Sequence, residues 1–185
     1  MPLKTSETDI LLVPGFEGSG PDHWQTRWQA KLRTAQSVDV GDVARPQLAH
    51  WRAAILAAAA GATRPVVFIA HSLGAVALAH AARDLAPGKV RGAMLVTPPG
   101  EAAIARIPQI DTAFAPYPRA ALPFASVFVA SRSDPYADYE SSAQLALAWG
   151  SQLTDAGNAG HINDASGHGP WPEGLMSFAG FLQKL

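Results

Sequence analysis

The stretch Arg64–Ala82, RPVVFIAHSLGAVALAHAA, decides how the chain is read. Val66–Ala70 is a short continuous apolar run, the pattern of a strand buried on both faces. From Leu73 to Leu85 the residues are apolar nearly all round, as in a helix packed against a sheet. Between them sit His71 and Ser72, two polar residues at a strand-to-helix junction. Ser72 has two readings at this point: a cap for the helix, which serines supply often, or a nucleophile displayed at the end of a strand.

Outward from this junction, strand and helix patterns alternate. Ile10–Val13, Ala93–Val96 and Val127–Ala130 are further buried-strand runs, with weaker ones at Ser37–Val43 and Ser151–Gly157. Trp24, Trp28 and Leu32 recur at helical spacing after Gly20–Pro21. Leu48, Trp51, Ile55 and Leu56 form a second apolar face that runs to Gly61. Ser141–Trp149 and Glu173–Leu185, the latter preceded by Pro170–Trp171, complete the set. The alternation predicts one α/β domain over residues 1–185, with a mostly parallel sheet of about six strands and helices on both faces. The segment Thr97–Phe124 holds Pro98, Pro99, Pro108, Pro116, Pro118 and Pro123, six of the fifteen prolines. It reads as an ordered excursion, too short for a separate cap domain, that leaves a shallow, open site.

Composition narrows the function. The 185 residues are 48% hydrophobic and 16% charged, a globular balance. A formal charge of −1 with scattered Lys and Arg gives no basic patch for nucleic acid or anionic membrane. The absence of cysteine removes disulfides, thiol nucleophiles and cysteine-ligated metal sites, and it fits a reducing compartment. No apolar run reaches the roughly 18 residues of a membrane span, and MPLKTSETDI lacks the apolar segment of a secretory signal. The expectation is a soluble cytoplasmic protein with no metal and no cofactor. Its oligomeric state is left open.

AHSLGA, Ala70–Ala75, resembles the nucleophile elbow of α/β-hydrolases, G-x-S-x-G, with Ala70 in place of the first glycine. Small residues two positions either side of the serine keep the adjoining strand and helix from clashing. A serine hydroxyl needs a base and an orienting acid, and in this fold they follow in the order Ser, Asp/Glu, His. Asp134 follows the strand Val127–Ala130, and His161 follows the last weak strand. Asp138 and Asp155 are the alternative acids, and His168 is the rival base. His71 reads as a flank of the elbow. His23, His50 and His80 fall in helical patterns as packing or surface residues, with no zinc-like spacing. The turn Gly15–Phe16–Glu17 offers backbone amides to the same crevice. An oxyanion hole is therefore expected from the amides of Phe16 and Leu73. The glycines of GFEGSG do not match a dinucleotide fingerprint, and no P-loop lysine accompanies them. Phe16, Trp24, Trp51, Pro98, Pro99 and Trp171 are the expected apolar lining of a substrate pocket.

Taken together, LVPGFEGSGPDHWQTRW, FIAHSLGAVA, SRSDPY and AGHIN…GPWPEG resemble the small single-domain serine hydrolases related to retinoblastoma-binding protein 9. The resemblance runs from about residue 9 to the C-terminus. It implies a compact α/β-hydrolase fold with a triad on Ser72, Asp134 and His161. The retinoblastoma-binding motif of the mammalian member needs a cysteine that this chain lacks, so that interaction is not implied. The expected activity is cleavage of a carboxylic ester or related acyl bond of a small molecule through an acyl-enzyme on Ser72. An acyltransferase using the same acyl-enzyme, or a non-catalytic binding protein on the same scaffold, are the alternatives.

Overall fold

The computed structural model describes residues 3–185. Its centre is one six-stranded sheet: β1 (Asp9–Val13), β2 (Ala35–Ser37), β3 (Val66–His71), β4 (Val90–Val96), β5 (Ala125–Ala130) and β6 (Gln152–Asp155). The spatial order is β2-β1-β3-β4-β5-β6, with every neighbouring pair parallel. Six α-helices connect or flank the strands: α1 (Trp24–Lys31), α2 (Leu48–Gly61), α3 (Leu73–Ala81), the single turn α4 (Glu101–Ile104), α5 (Tyr139–Ala148) and α6 (Pro172–Leu182). No helix among the described residues is long and apolar enough to cross a membrane.

Strand alternation sorts the core into two layers. Leu11, Val13, Phe68, Ala70, Leu95 and Phe128 face α2, α3 and α5, where they meet Trp51, Ile55, Leu78 and Trp149. Their neighbours Ile10, Leu12, Ile69, Met94, Val96 and Val129 face the other way, onto Trp24, Trp28, Phe178 and Phe181 of α1 and α6. Both faces being covered is why these strands read as continuous apolar runs.

Two elements depart from the sequence reading. β2 is Ala35–Ser37 and not Ser37–Val43. Val38 and Val40 are buried and pack on the core, but after the bond from Val38 N to Leu12 O the chain leaves the ladder. Their apolar character reports burial, not pairing. β4 begins at Val90, three residues earlier than the apolar run, because Gly92 lets the strand pass beneath Phe181 and Leu185.

The proline-rich excursion contributes Ile104, Ile107 and Ile110 to the lining of the site. Asp111 Oδ2 accepts the Leu48 amide at 3.1 Å and so secures the start of α2. Tyr117 donates its hydroxyl to Pro99 O at 2.9 Å, and Phe114 packs edge-on against Trp51. Thus fixed, the segment stands over the carboxyl edge of the sheet as a wall.

The β1/β3 boundary is where the strand order reverses, the crevice in which open parallel sheets bind ligands. The chain passes this point twice in close quarters. Gly74, in the first turn of α3, lies against the carbonyls of Val13 and Pro14; a Cβ there would fall 2.7 Å from Val13 O and closer still to Pro14 O. Gly74→Ala is accordingly expected to destabilise the fold by upward of about 2 kcal/mol in urea unfolding, since backbone atoms cannot move aside as side chains do. Wild-type stability in this variant would show that the approach is not tight.

Candidate active site

Ser72 occupies the N-cap position of α3, yet its side chain makes no cap hydrogen bond. Its backbone has φ 53° and ψ −125°, a conformation that costs an L residue roughly 1–3 kcal/mol. A cap needs no such strain. The turn instead aims the hydroxyl off the end of β3, where Ser72 Oγ lies 2.8 Å from His161 Nε2. On the other side of the ring, His161 Nδ1 lies 3.0 and 3.1 Å from the two carboxylate oxygens of Asp134. The Asp134 side chain is 2% exposed and that of His161 is 8% exposed, so little water competes for these bonds. Chemically, the line Ser–His–Asp can withdraw a proton from the hydroxyl and return it to a leaving group.

The rival residues are otherwise engaged. Asp138 caps α5 by accepting the Ser141 amide at 2.9 Å. Asp155 accepts from Gly157 N and from Arg132. His168 has its Nδ1 2.9 Å from Ser166 Oγ and packs near Trp171, away from Ser72.

A cavity of about 380 Å³ opens at Ser72. Its apolar lining includes Phe16 and, from the excursion, Ile104, Ile107 and Ile110. Its polar lining includes Glu17, His23, Asn163 and Asp164. Among the described residues, no lysine or arginine lines it. Among the described residues, neither the Phe16 nor the Leu73 amide donates to another group of the chain. The Glu17 amide is taken by Val43 O at 2.8 Å and offers nothing to the cavity. Gly15 makes the approach possible: a Cβ there would stand 2.9 Å from Ser72 Cβ.

Of the expected pocket lining, Phe16 and Pro99 reach this cavity. Pro98 lies in an adjoining groove instead. Trp24 and Trp171 do not line the cavity. They pack with Trp28 beneath it, and Trp24 donates Nε1–H to Ile162 O at 2.8 Å. Their size marked them as lining, but the i, i+4 spacing of Trp24 and Trp28 turns both toward the sheet. Trp51 is fully buried under the excursion. Sequence reasoning missed Tyr136, whose ring meets that of His161 edge-on at 4.6 Å, and the isoleucines. The spacing of Ile104, Ile107 and Ile110 within a proline-rich segment was a legible sign of an inward face; Tyr136 stood in the motif SRSDPY without being singled out.

Two further histidines stand beside the line. His71 is buried, its ring 5.1 Å from that of His161 and 4.9 Å from that of His23. Burial pushes its pKa well below the usual histidine range, and the neighbouring rings of His161 and His23 lower it further. His23 is the N-cap of α1, accepting the Gln25 amide on Nδ1 at 3.1 Å, and not a helix-packing residue as expected. Burial brings it down to about 4, against the pull of Asp164. Both therefore stay neutral in the folded state at pH values where the unfolded chain has already bound protons. The unfolded state then holds more protons, so stability is complete above about pH 6.5 and is lost as pH falls toward 4, by up to about 2–3 kcal/mol for His23. Urea unfolding from pH 7 to pH 4 should show this loss, with a shallower slope in His23→Gln. Equal slopes in the two proteins would contradict the assignment.

The sequence profile of the serine hydrolase family matches residues 10–180. Among solved structures, the chain is similar to a protein described as a YdeN-like hydrolase from Pectobacterium atrosepticum, with 31% identity over 96% of this chain and 92% of that one, at TM-score 0.84. It shares the fold of the ydeN gene product from B. subtilis, with 16% identity, coverage of 95% and 98% and TM-score 0.76. It also shares that of a thermophilic esterase from Thermogutta terrifontis solved with propionate bound, with 17% identity, coverage of 94% and 80% and TM-score 0.65. No curated protein matches the chain at a significant level. With the family profile spanning nearly its whole length and the α/β-hydrolase architecture around Ser72, the chain belongs to the serine hydrolase family.

Proposed function

We propose that the protein is a carboxylic ester hydrolase that works through an acyl-enzyme on Ser72. The single observation that carries this reading is the unbroken line from Ser72 Oγ through His161 to Asp134, at 2.8 and 3.0 Å. Ser72 Oγ attacks the ester carbonyl as its proton passes to His161 Nε2. Asp134 holds the Nδ1–H tautomer and stabilises the imidazolium that forms. The carbonyl oxygen, now negative, is met by the free amides of Phe16 and Leu73, which need no reorganisation as charge develops. The tetrahedral intermediate collapses as His161 returns the proton to the leaving alcohol. Water, activated by the same histidine, then releases the acid and restores Ser72.

The cavity favours an uncharged substrate. The acyl chain lies along Ile104, Ile107 and Ile110, and an anionic group would meet Glu17 and Asp164 with no lysine or arginine to offset them. At about 380 Å³ the volume is at the small end of ligand pockets, which fits a compact ester. The motifs around Gly15, Ser72, Asp134 and His161 further support placing the chain with the small single-domain hydrolases related to retinoblastoma-binding protein 9.

Labelling with a fluorophosphonate probe, followed by peptide mass mapping, tests the reading. One adduct is expected, on Ser72, absent in Ser72→Ala and slowed by about a hundredfold or more in His161→Ala. His168→Ala should label as wild type. Folded wild-type protein that takes no label would favour a binding protein on the hydrolase scaffold.

A further inference from the structure

The carbonyl oxygen of His161 is the meeting point of two buried side chains. His71 donates Nε2–H to it at 3.0 Å, and Thr97 donates its hydroxyl to it at 3.0 Å. A carbonyl accepts two such bonds, one per lone pair, so the pair of donors saturates it. Because a carbonyl can only accept, the bond also fixes the His71 tautomer with its proton on Nε2. His71 ends β3, and Thr97 is the first residue beyond β4, the adjacent strand. Both residues are nearly inaccessible, with His71 4% and Thr97 2% exposed.

The need for such a hold comes from topology. His161 follows β6, at the far edge of the sheet, and must be carried back past β5 and β4 to reach Ser72 after β3. No strand supports that return. Ser131 Oγ and Ser133 Oγ accept the amides of Ala159 and Gly160, each at 3.0 Å, and Trp24 holds Ile162 O. Among the described residues, only His71 and Thr97 hold the carbonyl of His161 itself. Thr97 does so at φ 45°, a conformation that a β-branched residue avoids and glycine adopts freely. What glycine lacks is the hydroxyl.

We propose that His71 and Thr97 are positioning residues that clamp the His161 peptide, so that its ring meets Ser72 and Asp134 at the same time. The proposal rests on His161 being the base of the hydrolase described above. The clamp acts through geometry and touches no reacting atom, so its loss lowers turnover; Thr97 does not line the cavity, so loss of its hydroxyl leaves binding of the ester unchanged, whereas His71 also lines the cavity.

Isosteric pairs separate the clamp from mere packing. Thr97→Val keeps the shape without the hydroxyl; Thr97→Ser keeps the hydroxyl. His71→Phe keeps a ring against His23 and Trp24 without a donor; His71→Gln restores an N–H. With p-nitrophenyl butyrate as the probe, Thr97→Val and His71→Phe are expected to lower kcat by about tenfold or more, with KM within about twofold in Thr97→Val. Thr97→Ser and His71→Gln should recover most of that loss. A readout independent of turnover is the downfield proton resonance of His161 Nδ1–H, which should shift or broaden in Thr97→Val and not in Thr97→Ser. Wild-type kcat and an unmoved resonance in Thr97→Val overturn the clamp, as does a loss in Thr97→Ser equal to that in Thr97→Val. Should His71→Phe not fold, the Thr97 pair decides alone. A wild-type protein that turns over no ester counts against the functional reading instead, and the resonance comparison still judges the clamp.

Discussion

The structure depends on one strained residue. Ser72 is held at positive φ between a strand buried throughout and a helix buried at every position but His80, and neither element can relax the turn without losing its place in the core. That rigidity comes from close contact. Gly74 sits on the backbone of Val13 and Pro14, and Gly15 sits on Ser72 itself, so β1 and the start of α3 lock the turn from two directions. These two contacts flank Phe16 and Leu73, whose amides donate to no other group among the described residues. The displayed serine and the two unused N–H groups thus fall at the same close approach of β1 and α3.

Strain is not confined to Ser72. The non-glycine residues with positive φ among the described residues are Glu17, Ser72, Thr97 and Ile162: the first two line the cavity, Thr97 bonds the carbonyl of His161 and Ile162 follows it in the chain. Thr97 and Ile162 are β-branched, which makes the conformation costlier. Each is over-determined by its surroundings: Glu17 by Val43 O, Thr97 by the His161 carbonyl, Ile162 by the Trp24 indole. Backbone held this way clusters where geometry matters to function and is sustained by the burial of the rest of the molecule. Here the two-layer core supplies that burial, and the tryptophans of the α1/α6 layer form the floor under the return loop.

Much of this was legible in the sequence because burial leaves a strong mark. The strands around Ile10, Phe68, Met94 and Phe128 appear as apolar runs, and the order of Ser72, Asp134 and His161 at strand ends follows from them. What escaped the reading was direction. Trp24 and Trp171 are as large and apolar as a pocket lining; the i, i+4 spacing of Trp24 with Trp28 pointed to the core, and for Trp171 only the fold shows that it packs on those two rings. Val38 and Val40 announce burial but not whether the backbone is paired. Thr97 looked like the first residue of a loop, because a positive φ on a β-branched residue contradicts its local preference and no propensity would assign it. The proline-rich excursion read as ordered, yet its role as a wall emerges only once Asp111 and Phe114 are seen tied to α2.

The central claim is that Ser72 carries an acyl group during turnover. Mixing the protein with excess p-nitrophenyl butyrate, quenching within the first turnover and mapping the peptides by mass measures this directly. The account predicts a burst of nitrophenol of about one equivalent, with the mass of one butyryl group gained on the peptide bearing Ser72. Turnover that leaves no acylated peptide, or an acyl group found on another residue, would contradict it.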